Sequence, residues 1–235
     1  MGKICGFSPK NVKSRNESLA CLHWVGSWNI LSLISYKFQS TFHYNSQFWS
    51  NRSAYNLLGG KTGLDSQETR LPTYWTTSFS KIRLGMKIEN QLRFIAINKQ
   101  ADSPHSLIAD GKYRNVSLGR NIWKRLLGSK ASLQHNCNKE GFNVVGDYPH
   151  QSKARIGIIV NQENDCRSCD SRIGFGTGGL HDDSNTCGNE ATYSPDNGDK
   201  HIKAMGYILV QWQETQSNFP NFKPKSHHEE ENVVT

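Results

Sequence analysis

The sequence predicts an α+β fold that is mainly β. Three observations carry this. Two stretches alternate in polarity about a two-residue break: Lys81 to Ile88 puts Ile82, Leu84, Met86 and Ile88 on one side, and Leu92 to Asn98 follows after Glu89-Asn90, as in a hairpin. Two apolar runs, from Arg155 to Val160 and from Ile202 to Gln211, read as buried strands around a long polar, cysteine-bearing segment. Gly, Ser and Asn are abundant against a hydrophobic fraction of 35%, which suits a turn-rich fold better than a helical bundle.

Taken in order, residues 1–47 form an unassigned head, 48–212 one domain and 213–235 a polar tail that reads as disordered. Within the head, Leu19 to Tyr36 carries no charge and follows a basic start, the outline of a degenerate signal or anchor. His23, Ser27, Asn29 and Ser32 interrupt it, so no stable membrane insertion is expected. Gly59-Gly-Lys-Thr resembles the tail of a phosphate loop but lacks the leading glycine and a preceding strand. Leu92 to Asn98 is apolar on both sides and is expected at the centre of its sheet. Ser106 to Gly111 ends in a turn. Ser117 is placed to cap a helix running to Leu127, with Ile122, Trp123, Leu126 and Leu127 on one face and Gly128 as its stop. Ser132 to Cys137 and Phe142 to Val145 read as short extended pieces.

The net charge is +8. Lys and Arg are spread singly, and the densest group, Arg120, Lys124, Arg125 and Lys130, fits one solvated helix face. No nucleic-acid partner is expected. Six cysteines, four of them around the polar segment, are consistent with disulfides in an oxidising compartment. Sequons at Asn16, Asn51 and Asn115 add weight towards secretion, with Asn51 and Asn115 as candidate glycosylation sites inside the domain.

Cys166-x-x-Cys169 lacks the second close pair or His pair of a zinc site, and no helix follows it as in a redox motif. Structural disulfides are the favoured reading. Four cysteines allow three connectivities, and the preferred pairing is Cys137–Cys166 with Cys169–Cys187. Gly174-Phe-Gly-Thr-Gly-Gly179 contains a Gly-x-Gly-x-x-Gly pattern. An acidic non-helical segment follows it, so these glycines read as a loop making tight turns. Oxygen donors flank this loop: Asn161, Glu163, Asn164 and Asp165 before it, and Asp182, Asp183, Asn185, Asn189 and Glu190 after it. Calcium takes six to eight such oxygens. A disulfide between the two arms would gather Asn161, Glu163, Asp165, Asp182, Asp183, Asn189 and Glu190 into one Ca2+ cage; the competing reading is a loop that is simply solvated. No Ser-His-Asp or Cys-His arrangement is present, and no enzyme is expected.

From Asn161 to Cys166, the glycine loop, Cys187-Gly-Asn189 and the closing strand resemble the carboxy-terminal part of fibrinogen-related domains, intelectins especially, over about Trp49 to Gln211. Asp65-Ser-Gln-Glu-Thr, Ile156-Gly-Ile, the stretch from Ser171 to Gly179 and that from Asp199 to Gln211 resemble uncharacterised skeletal organic matrix proteins of stony corals. The resemblance implies a fibrinogen-like C-terminal domain with irregular, disulfide-stapled loops. It also implies a non-catalytic component of a secreted, calcified extracellular matrix, binding matrix polymers, mineral or glycans. Intelectins hold glycan diols through calcium. Asn161 and Glu163 match their calcium-contacting Asn and Glu, whereas Asn164 stands for a ligating His and Asn189 for an Asp. A calcium-dependent lectin is therefore the alternative function. The head lacks the Gly-Gly-Trp motif with which fibrinogen-related domains begin.

Overall fold

The computed structural model describes residues 24–25, 28–34, 41–61, 64 and 66–211. The readings of the amino-terminal basic stretch and of the tail lie outside these residues. The described chain is mainly β, with two six-stranded antiparallel sheets and a few short helices. The first sheet runs in the order β1 (Trp24–Val25), β2 (Trp28–Ile34), β12 (Met205–Gln211), β4 (Phe79–Ile88) and β5 (Gln91–Ala101), with β3 (Thr69–Arg70) on β2. The second runs β11 (Lys200–Lys203), β10 (Cys187–Ala191), β9 (Ser171–Gly178), β8 (Lys153–Asn161), β7 (Asn136–Val145) and β6 (Arg114–Asn115). Helix α1 (Thr73–Thr76) links β3 to β4 within the first sheet, α2 (Pro104–Ile108) lies on the connection between the sheets, and α3 (Arg120–Lys124) links β6 to β7 within the second. Among the described residues no helix is long and apolar enough to cross a membrane.

The largest core cluster draws on both sheets. Ile82, Leu84, Met86, Ile208 and Val210 come from the first, and Ile156, Ile158, Val160, Ile173 and Phe175 from the second. Strand side chains alternate between faces, so Ile159 on β8 turns the other way, into a small cluster with Val144 and Cys169. The first sheet also packs its second face, through Met205, Tyr207, Leu209, Leu92 and Phe94.

The hairpin at Glu89-Asn90 is present and pairs Lys87 with Leu92. Other expectations are corrected. Among the described residues β5 is an edge strand, although Ile95 and Ile97 face one core and Leu92 and Phe94 the other. Two-sided burial measures what lies above and below a strand, and says nothing about what pairs with its edge. The run ending at Gln211 is not one strand: the chain passes from β11 in one sheet to β12 in the other at the buried Ala204, whose N–H donates to the Cys187 carbonyl at 2.8 Å. Trp28–Ile34, assigned by sequence to the head, pairs with β12. Phe42, also from the head, is buried in the main core. The helix near Leu118 begins at Arg120, and its N-cap is Gly119 with no side-chain cap. The Glu140 carboxylate of β7 takes the role expected of Ser117, accepting from the N–H groups of Leu118 and Gly119 at 3.1 and 2.9 Å. Trp123 Nε1 donates to the same carboxylate, which ties α3 to β7.

The glycine segment is the largest correction. It is no loop but the buried strand β9, between β8 and β10. Glycine is a poor strand former because it packs nothing, yet here the absent side chains make room. Gly157 and Gly174 sit opposite each other, and a Cβ on either would come within 2.6 Å of a carbonyl on the facing strand. Gly176 has φ +58°, and a Cβ there would meet the Trp49 ring at 2.4 Å. We expect Gly176→Ala to destabilise the fold by about 2–4 kcal/mol, combining left-handed backbone strain with a clash in the core. Urea denaturation would measure it, and a loss under about 0.5 kcal/mol, the range of ordinary surface changes, would contradict the Trp49 packing.

Candidate functional site

The two polar arms leave β9 from its opposite ends and meet at Ser152, whose N–H donates to the Cys169 carbonyl at 2.9 Å and whose hydroxyl donates to that of Leu180 at 3.2 Å. The first, residues 162–170, connects β8 to β9; the second, residues 179–186, connects β9 to β10. A disulfide fixes the first arm: Cys137 on β7 is bonded to Cys166. The other expected bridge, Cys169–Cys187, is absent, and both cysteines are free and buried. The reason is the alternation of the sheet. Cys187 faces the main core, where it fills the space left by Gly206 beside Phe175. Cys169 packs with Val144 and Ile159 on the opposite face.

The second arm is held from inside by Arg172 on β9. Its buried guanidinium donates to the carbonyls of Gly179 at 3.3 Å and Asp182 at 2.6 Å, and to that of Leu180. Burial pulls the Arg172 pKa down to about 10, against the opposing pull of Glu190, its partner across the strands. Glu190 is itself buried. It accepts from the Asn185 amide and lies 2.6 Å from His201 Nδ1.

These bonds engage most of the oxygen donors singled out in the sequence. Asn189 is buried, with its amide bonded to the Arg172 carbonyl and to both backbone groups of Ser132. Asn161 is buried and donates to the Asp165 carbonyl and to Ser168. Asp165 pairs with Arg167 at 3.1 Å, and that guanidinium holds its carboxyl below the usual range. Asp182 accepts from Ser184 and lies 3.3 Å from Lys203. Asp183 accepts from the Gly179 N–H at 2.6 Å. Glu163 is exposed and accepts from Gln162 at 2.9 Å. Among the described residues, the only His, Cys, Asp or Glu group with three or more ligand atoms within 4.8 Å of one another is the sulfur trio of Cys137, Cys166 and Cys169. No three of the carboxylates Glu163, Asp165, Asp182, Asp183 and Glu190 gather to that distance.

A smaller polar cluster lies where the two arms meet. Asp170 is buried, and desolvation raises its pKa against the pull of Gln134 and His181; the charge of Glu163 raises it further. Gln134, fully buried, donates to Gln162 and to the Tyr193 carbonyl at 3.1 Å, while its own Oε1 has no partner. The exposed Tyr193 ring sits edge-on to His181 at 4.9 Å. Sequence reasoning missed Gln134, Asp170, His181 and Tyr193 as a set. Only the fold brings the start of β7, the start of β9 and the residues after β10 together.

The remaining candidates sit elsewhere. Asn115 is exposed on the edge strand β6. Asn51 is half-buried, and its Oδ1 accepts from the buried Arg70 at 2.8 Å. The basic group is not a free patch: Arg120 and Lys124 pair with Asp196, and Lys130 with Glu89.

Replacing Arg172 by Met would remove the buried positive charge that acts on Glu190 and leave the carbonyls of Gly179, Leu180 and Asp182 without their donor. A loss of about 3–5 kcal/mol is expected by chemical denaturation; a neutral outcome would contradict the role of Arg172. The buried thiols set the response to alkali. Burial pushes Cys169 up to about 12 from 9.0, and raises Cys187 as well. Their contribution is fully present below pH 9, and is lost as the unfolded thiols ionise while the folded ones stay protonated. Stability should therefore fall between pH 9 and 10 by about 1 kcal/mol per thiol. Urea titrations of Cys169→Ser and Cys187→Ala should each give a shallower fall, and an unchanged slope would contradict the burial.

No family model, curated protein or solved structure matches this chain.

Proposed function

We propose that this chain is a non-catalytic, secreted matrix protein that adheres through the junction of its two polar arms, with calcium as the bridging ion. The observation that carries the reading is the buried Asp170 carboxylate. It has no Lys or Arg partner among the ion pairs of the described residues, and it lies beside a buried Gln134 oxygen with no donor and near the exposed Glu163. A buried carboxylate without a counter-charge costs stability, and a divalent cation offsets that cost. Asp170, Glu163 and Gln134 supply oxygens of the kind a hard cation takes, with ligand or mineral oxygens and water completing the shell. This reading replaces the seven-residue cage with a smaller, open site. Openness suits adhesion, because the remaining coordination positions face the partner.

Two further features support an extracellular setting: the Cys137–Cys166 bond and the exposed sequon at Asn115. The fibrinogen-like assignment and the calcified-matrix setting come from the sequence resemblance and belong to the same proposal. A calcium-dependent lectin is the second reading, favoured by the exposed Tyr193 ring against His181 at the edge of the site, an apolar platform of the kind sugars stack on.

Extracellular calcium sites bind at roughly 0.1–1 mM. At about 10 mM calcium, a Kd near 0.5 mM would stabilise the fold by roughly 2 kcal/mol, a rise in Tm of about 5 °C. Asp170→Asn should keep or raise the stability of the calcium-free protein and abolish this rise, and Glu163→Ala should reduce it. Calorimetric titration and thermal melts provide the readout; no heat and no shift in the wild type would remove calcium from the proposal. A glycan array with and without chelator separates the readings, since chelator-sensitive binding selects the lectin.

A further inference from the structure

The three sulfurs on the outer face of the second sheet form an arrangement that a structural bridge does not need. Cys169 Sγ lies 3.5 Å from Cys137 Sγ, one half of the Cys137–Cys166 disulfide, and all three sulfurs fall within 4.8 Å of one another. A third sulfur in van der Waals contact with a disulfide is where thiol–disulfide exchange begins. We propose that Cys169 exchanges into this bridge, giving Cys137–Cys169 and releasing Cys166 as a surface thiol for mixed-disulfide attachment to a disulfide-bearing partner.

The exchange is balanced within the chain. The small fraction of Cys169 that is thiolate in the folded protein, which burial keeps low and which grows with pH, attacks Cys137 Sγ; the Cys137–Cys166 bond breaks, and its electron pair leaves on Cys166 Sγ. Cys166 then takes up the equivalent of the proton that Cys169 lost, so no oxidant or reductant is consumed. In the second step the Cys166 thiolate attacks one sulfur of the partner's disulfide, and the partner's other sulfur departs as the thiolate. The surroundings favour this order. Cys169 is fully buried between Val144 and Ile159, so it cannot itself meet a partner. Cys166 is half-buried on the arm between exposed Asn164 and Arg167, so the sulfur set free is the one that solvent reaches. Attack at Cys137 is also the local one. Cys137 has φ +47° and sits where the pairing of β7 with β8 shifts register, so the backbone there is already out of the regular ladder. Cys187, packed in the main core, takes no part.

The test keeps the full chain native at pH 8.5. One sample is trapped with N-ethylmaleimide and a second is incubated with oxidised glutathione; each is then digested and mapped by mass spectrometry. The expected result is maleimide or glutathione on Cys166, a Cys137–Cys169 bond in the same molecules, and an unmodified Cys187. Cys169→Ser should lower Cys166 modification by at least about tenfold, because the attacking thiol is gone. The proposal is overturned if Cys166 stays unmodified in the wild type, or if it is modified equally in Cys169→Ser. It is also overturned if Cys187 is modified as fast as Cys166, since the opening would then be global unfolding.

Discussion

The buried guanidinium of Arg172 is the constraint on which the polar face depends. A loop of acids and amides has no apolar surface with which to hold its shape. Here a strand residue reaches under the second arm and binds three of its carbonyls. The charge that this brings into the interior is answered across the strands by Glu190, whose other bonds reach Asn185 and His201. The Arg172 guanidinium thus fixes the loop, and the Glu190 carboxylate is engaged by Asn185 and His201. The cost of desolvating such a pair is high unless its remaining donors and acceptors are satisfied. Only Arg172 Nε and Asn185 Oδ1 in this network lack a partner among the described residues.

The first arm is held by a different device. Its fold rests on the Cys137–Cys166 bond and on the Asn161 amide, which closes the turn from within. Where the two arms meet, neither device reaches. Asp170 is left with a raised pKa, and Gln134 with an unanswered oxygen. The site is thus the remainder after each arm has satisfied itself, which explains why it is smaller than the acidic composition of the segment implied. The sulfur trio lies on the face of the second sheet opposite the main core, set by strand alternation at Ile158 and Ile159.

Several elements were legible because their cause is local. The alternation of Ile82, Leu84 and Met86, and the break at Glu89-Asn90, depend only on the two-residue period of a strand and a tight turn. The Cys137–Cys166 pair was one preference among three connectivities the sequence left open, and only the fold selected it. Other features were misread because their cause is distant. Gly174 and Gly176 look like loop residues until Trp49 and the backbone of β8 occupy the space above them. Ser117 looks like a cap until Glu140 arrives from β7 with a stronger acceptor. The partners of Asp182, Asp183 and Glu190, namely Lys203, the Gly179 N–H and His201, are likewise set only by the fold.

The sequence by itself determined that this chain is mainly β and that Lys81 to Ile88, Leu92 to Asn98 and Arg155 to Val160 are strands. Those properties follow from periodicity and composition, which neighbours along the chain fully specify. Tertiary structure alone decided which strand lies at an edge, where the chain changes sheets, which cysteines meet, and which carboxylates remain open. Each of these depends on what stands beside or across from a residue through space. Such a pairing is selected by the packing of the whole core, so no local pattern encodes it.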